Sequence, residues 1–160
     1  IALKSNNTPS AIALSRQKVP YINPKNSKEN KSEKGAYVVN ITSHESNVTL
    51  LASGTEVELA LKVQAKLKEN NIHSKVVSMP CMELFDKQSE DYRKDVIEED
   101  SLIVTLEAGS IMSWQKYTKH NGINLGLDKF GESAPYKEVY DYLELSEEKI
   151  TSFIQKKLRE

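Results

Sequence analysis

Cysteine is almost missing: Cys81 is the single one in 160 residues, which excludes an internal disulfide framework and a cysteine-rich zinc centre and fits a reducing, cytoplasmic setting. No run approaches the roughly 18 apolar residues that a membrane span needs, and no basic stretch precedes an apolar one at the start, so no membrane role is expected. Charge of one sign is also missing. Lys plus Arg number 22 against 23 Asp plus Glu, a formal net charge of -1, so no global field attracts nucleic acid or an anionic lipid surface. The six glycines form neither a GxGxxG fingerprint nor a Walker-type GK[ST] loop. Nor is there a GDG stretch. With 38% hydrophobic and 28% charged residues, what is left is an ordinary globular composition, long enough for one domain with a real core.

The patterning divides the chain unevenly. "PSAIALS" (Pro9 to Ser15) reads as a short apolar strand ending in Arg16 and Gln17. Arg16, a permanent charge in a planar fork, either covers its stem on nearby apolar surface or faces an anion. "KVPYINPKNSKENKSEKG" (Lys18 to Gly35) has almost nothing to bury and reads as a linker. A strand ahead of a linker so early, in a chain that begins with Ile1, leads us to expect a piece of a longer protein whose sheet lies elsewhere.

Beyond Gly35 the signals become regular. "AYVVNIT" (Ala36 to Thr42) and "NVTLLAS" (Asn47 to Ser53), separated by "SHES", suggest an antiparallel hairpin. "TEVELALKVQAKLKENN" follows with an apolar stripe at Val57, Ala60, Leu61, Val63 and Leu67. Thr55 with Glu58 fits a capping box, and Gly54 supplies the turn into the helix. Then come the strand "IHSKVVSM", a charged helical stretch around "QSEDYRKDVIEE", the strand "SLIVTLEA" (Ser101 to Ala108), a helix around Ile111 to Lys119, a glycine-bearing stretch "NGINLGLDKFGESAP", and two closing helices. In the last, Ser146 is the expected N-cap, Glu147 and Glu148 face the positive end of the dipole, Lys156, Lys157 and Arg159 the negative end, and Ile150, Phe153, Ile154 and Leu158 the core. Alternating strands and helices predict an α/β, three-layer αβα fold with a mixed, mostly parallel sheet covered on both faces.

Candidate chemistry is sparse. "ASGTEVE" offers a glycine at a strand-to-helix turn, where an anion could sit, but Glu56 and Glu58 already use that positive end and would repel one. His44, His73 and His120 lack metal-ligand spacing. Cys81 has no evident activating base and reads as a small buried residue. Trp114 and Tyr117, three apart on a helix, read as packing. Glu107 closes an apolar strand and is placed to cap or bridge a neighbouring loop.

Six segments carry a resemblance: "LSRQ" (Leu14 to Gln17), "ASGTEVELA" (Ala52 to Ala60), "KVVSMPCMELFDKQ" (Lys75 to Gln88), "LEAG" (Leu106 to Gly109), "NG" (Asn121, Gly122) and "FGESAP" (Phe130 to Pro135). In this order and spacing they resemble the carboxyl-terminal part of the transketolase family, over nearly the whole chain. "LSRQ" with "FGESAP" separates that family from the 2-oxo-acid dehydrogenase β subunits and the deoxyxylulose phosphate synthases, the alternative relatives.

The resemblance implies a parent enzyme that moves a two-carbon ketol unit from a ketose phosphate to an aldose phosphate in the pentose phosphate pathway. It implies thiamine diphosphate with Mg or Ca as cofactors, a cytoplasmic homodimer, and sugar phosphates as partners. It places residues 1–17 at the end of the pyrimidine-binding middle domain, 18–35 in a linker, and 36–160 in a C-terminal domain with a five-stranded sheet and one antiparallel edge strand. The family's substrate-phosphate contact falls on Arg16. No catalytic, cofactor-binding or metal-binding residue carries over to this chain, so the piece alone is expected to be inactive. Two roles are expected for its third domain: bracing the middle domain and the dimer, or a regulatory small-molecule site at the carboxyl ends of the parallel strands near Ser53, Glu107 and Ser133.

Overall fold

The computed structural model describes residues 1–22, 29–98, 100–118 and 122–160. Five strands, β1 (Tyr37–Ile41), β2 (Val48–Ala52), β3 (Ser74–Ser78), β4 (Leu102–Leu106) and β5 (Ile123–Leu125), form one sheet in the order β1-β3-β2-β4-β5. β3, β2, β4 and β5 run parallel, and β1 joins the edge antiparallel to β3. The mixed sheet with one antiparallel edge is therefore the arrangement expected.

The hairpin is not. β2 is buried at all five positions, whereas β1 becomes progressively exposed along its length. A strand apolar on both faces gains most at the centre of a covered sheet, where parallel neighbours flank it, and a half-polar strand is tolerated at the rim. So β1 skips its sequence neighbour and pairs with β3, Tyr37 opposite Ser78.

Alternation along the strands divides the core in two. Val48, Leu50 and Ala52 of β2, with Val76, Val104 and Leu106, face helices α1 (Glu56–Glu69) and α6 (Glu147–Lys157) through Val57, Ala60, Val63, Leu67, Ile150 and Ile154. Leu51, Val77 and Ile103 face the other way, towards α2 (Met82–Asp86), α3 (Glu90–Val96) and α4 (Gln115–Thr118), through Phe85, Val96, Trp114 and Tyr117. These are the three layers. α5 (Tyr136–Tyr142) belongs to neither core and buries no residue.

α1 fits its stripe, except that Leu61 is only half-buried. It is capped by Asn70, and the next residue, Asn71, turns the chain back with a φ of 58°, a conformation asparagine tolerates better than most residues. The buried Gln64 amide donates to the Ser74 carbonyl at 2.8 Å and accepts from Asn40 Nδ2 at 2.7 Å, tying α1 to β3 and to the edge strand. The capping box at its start does not form. Thr55 sits in the right-handed helical region rather than extended, and its hydroxyl donates sideways to Glu56 Oε1 at 2.7 Å. At α6, Ser146 does occupy the N-cap, but its hydroxyl is 3.1 Å from Asp141 Oδ1. Phe153 and Leu158, expected in the core, are 46% and 39% exposed. The buried side chains of α6 are Ile150, Thr151 and Ile154, and Phe153 and Leu158 lie off that face.

The stretch Pro9 to Ser15 is not a strand. Ile12 and Leu14 are exposed, and this stretch pairs with none of the strands β1 to β5. Of the segment 18–35, residues 23–28 lie outside the described residues, and Lys31–Lys34 form a short 3-10 turn.

Candidate functional site at the carboxyl ends of the parallel strands

Ala52 and Leu106 are paired in register at the ends of β2 and β4. The residues that follow them, Ser53 and Glu107, therefore emerge side by side where open α/β sheets bind ligands. Gly54, with a φ of 53°, turns the chain from β2 into α1, and a Cβ there would sit 3.6 Å from Ser15 Oγ.

Glu107 is half-buried and is spanned by the chain's single tryptophan: Trp114 Nε1 donates to Glu107 Oε2 at 3.0 Å. Burial holds its carboxyl above the usual range against the opposing hydrogen bonds from Trp114 and Ser53, and the neighbouring charge of Glu56 pushes the same way as burial. Glu56, the first residue of α1, is 5% exposed. Its Oε1 accepts from Thr55 and, at 2.5 Å, from the phenol of Tyr140 on α5. Burial, helped by that bond, pushes the Tyr140 phenol up to about 12.

This is a set of cross-braces. Glu107 ties β4 to the approach of α4, and Glu56 ties α1 to α5. The polar groups of the strand ends are spent on one another, and Ser133, the third residue expected to converge here, is exposed. Beside the braces lies a cleft of about 370 Å³ between residues 17–19 and the helices α1 and α5, lined by Gln17, Lys18, Thr55, Lys62, Tyr136 and Tyr140. Lys62 is committed to Glu58 at 2.9 Å.

The other candidates are placed individually. Arg16 is exposed, immediately after Ser15 at the Gly54 turn. His44 and His73 are exposed and lie on different loops, while His120, with Asn121 of the "NG" pair, is outside the described residues. Cys81 is half-buried rather than buried, with its Sγ 3.5 Å from Glu83 Oε2. Trp114 and Tyr117 do pack, as an edge-on pair with centroids 6.4 Å apart, both nearly inaccessible.

A diphosphate with a divalent metal does not fit the described residues. No group of three His, Cys, Asp or Glu side chains among them could hold a metal ion. At the start of α1, which follows the carboxyl end of β2, the buried Glu56 and the Glu58 beside it occupy the positive end of the dipole. Among the described residues no helix is long and apolar enough to cross a membrane.

Sequence reasoning placed Glu107 to cap or bridge a neighbouring loop without naming Trp114 as its partner, and missed Glu56 with Tyr140 altogether. Glu107 and Trp114 are seven residues apart across a loop, and Glu56 and Tyr140 are 84 apart. A carboxylate closing an apolar strand was a usable signal for the first pair; the second left none.

Fold and strand ends together define a three-layer α/β domain of the mixed-sheet class, braced at the end where its class usually binds ligands. The family model for the transketolase-like TK C-terminal domain matches residues 35–146, and the chain belongs to that family. It is 37% identical to a transketolase of Rhodobacter capsulatus over 97% of this chain and 24% of that protein. Among solved structures, it is similar to a transketolase from Campylobacter jejuni with a TM-score of 0.86 and 35% identity, covering 98% of this chain and 23% of the other. It also resembles a transketolase from Pichia stipitis in complex with sedoheptulose 7-phosphate, with a TM-score of 0.74 and 30% identity over 81% of this chain and 18% of the other. The chain thus spans about a quarter of the length of the curated relatives it matches.

Proposed function

We propose that this chain is the carboxyl-terminal part of a cytoplasmic, homodimeric transketolase, which transfers a two-carbon ketol unit between sugar phosphates with thiamine diphosphate and Mg or Ca held elsewhere in the protein. The observation that carries this reading is the family match through residues 35–146, extended by relatives that cover nearly all of the chain, the "LSRQ" segment included. In this reading residues 1–17 end the middle domain, 18–35 are the linker, and 36–160 form the third domain.

Arg16 is the one residue here that meets substrate. Its exposed guanidinium is suited to a terminal phosphate, because its planar fork matches phosphate oxygens two at a time. That a Pichia stipitis relative is seen with a sugar phosphate supports the substrate class.

The third domain braces rather than catalyses. Its strand-end polar groups are paired with each other, Glu107 with Trp114 and Glu56 with Tyr140, which favours a structural role over a regulatory ligand site at the same place. Activity therefore requires the rest of the protein. The purified 160-residue chain is expected to show no ketol transfer and no saturable binding of thiamine diphosphate, while the full-length protein shows both; turnover by the chain alone would overturn the assignment.

A further inference from the structure

On the face of the sheet away from α1 and α6, the helices α2, α3 and α4 enclose a groove of about 370 Å³. Ile97 and Ile103 form its floor, both nearly inaccessible, and the ring of Tyr117, tilted against Phe85 with centroids 5.9 Å apart, forms one wall. The volume lies in the range of small-molecule sites, and an apolar floor with a few charged groups above it is their usual composition.

The charges at the rim are unequally committed. Asp86 is taken up by Lys116 and by the Tyr117 hydroxyl at 2.8 Å, and Glu90 by Lys94 at 2.7 Å. Arg93, one turn before Ile97 on α3, lines the same groove, and its guanidinium has no hydrogen bond or ion pair among the described residues. Among the described lining residues three cations stand with two carboxylates, and Arg93, whose charge also acts on Asp86 and Glu90 without a direct pair to either, is the one best shaped for a two-oxygen anion.

We propose that this groove is a binding site for a small carboxylate with a flat apolar body: the carboxylate on Arg93, the body on Ile97, Ile103 and the Tyr117 ring. A polyol phosphate is the poorer fit, because its hydroxyls would be set against a floor that offers them no partner. The site is separate from the strand-end braces and from Arg16, so it stands or falls independently of the function proposed above.

The test is calorimetric titration of the intact protein with 2-naphthoate, and with the matched cation 2-naphthylmethylammonium and inorganic phosphate as comparison probes. Saturable binding of the naphthoate is expected, with neither comparison probe binding comparably. Arg93→Ala and Arg93→Gln should each weaken it about tenfold or more, since a two-oxygen contact to a guanidinium is lost, and Arg93→Lys should fall between. Lys156→Ala, on α6 across the sheet, should change nothing. Because Arg93 is exposed, its variants should keep the parent's thermal midpoint, which separates lost binding from lost folding. Absence of saturable binding, equal binding of the cation or of phosphate, or naphthoate affinity that survives Arg93→Ala would each overturn the proposal.

Discussion

Replacing Gly35 by alanine should destabilise the domain by about 3 kcal/mol or more, and the reason is entirely in the backbone. Gly35 has a φ of 81° and a ψ of −33°, a region that L-residues avoid at a cost of about 1–3 kcal/mol. A Cβ there would lie 2.2 Å from the Phe85 nitrogen and 2.4 Å from the Cys81 oxygen, both main-chain atoms at the start of α2. No rotamer can relieve an overlap with backbone, so the chain must move, and overpacking of that kind adds about 1–3 kcal/mol more. Movement is itself opposed, because the Gly35 carbonyl accepts from Cys81 N–H at 3.0 Å just before β1 enters the sheet. For a chain of this size, about 3 kcal/mol lowers the thermal midpoint by roughly 6–12 °C. Urea unfolding followed by circular dichroism measures the free energy, and calorimetry the midpoint. Gly131→Ala serves as the control: nothing lies within 4 Å of its Cβ position, and its effect should stay within about 0.5 kcal/mol. If Gly35→Ala also stays within that margin, the close approach of this turn to α2 is wrong.

Two more predictions concern the braces. Tyr140→Phe removes the phenol from Glu56 Oε1 and should cost about 1–2 kcal/mol; in a double-mutant cycle with Glu56→Gln the two changes should be clearly non-additive, whereas additive costs would mean that the contact is not made in solution. In alkaline titration Tyr140 and Tyr117 should both ionise near 12, and the Tyr140 step should vanish in Tyr140→Phe. Folded phenols held neutral in this way lose stability as pH rises above the unfolded value near 10. Glu107 follows the same sign at lower pH. Because burial raises its folded pKa, the folded chain binds this proton more tightly than the unfolded chain does, and stability falls as pH rises through the carboxylate range. Glu107→Gln should flatten that part of the stability profile while keeping an oxygen for the Trp114 N–H; an unchanged profile would mean that the carboxyl is not buried.

The elements were legible where pattern and burial coincide. β2, β3, β4 and the core stripe of α1 stand in the sequence as they stand in the fold, because a continuous apolar run or a helical stripe has one low-energy solution against a covered sheet. Pairing was not legible in the same way. "AYVVNIT" and "NVTLLAS" are neighbours across a short polar stretch, and only the unequal burial of the two strands sends the first to β3. Thr55 had the right spacing to Glu58, but its backbone is helical, so the hydroxyl had no path to the cap. Pro9 to Ser15 has the composition of a strand without a sheet edge to receive it. The resemblance of six short segments led to the family, which composition and periodicity alone did not reach. Glu56 with Tyr140 marks the limit: a contact between α1 and α5, 84 residues apart, is created by the fold and has no local signature.

The reading of this chain as the part of a transketolase that meets the substrate through a single arginine is tested most directly by steady-state kinetics of the full-length protein and its Arg16→Ala variant, with ribose 5-phosphate and xylulose 5-phosphate against unphosphorylated acceptors. The KM for phosphorylated sugars should rise about tenfold or more, as expected for a lost guanidinium–phosphate contact, with unphosphorylated acceptors little changed. Equal kinetics for the two proteins on phosphorylated sugars would contradict it and leave Arg16 as a surface cation covering its own stem.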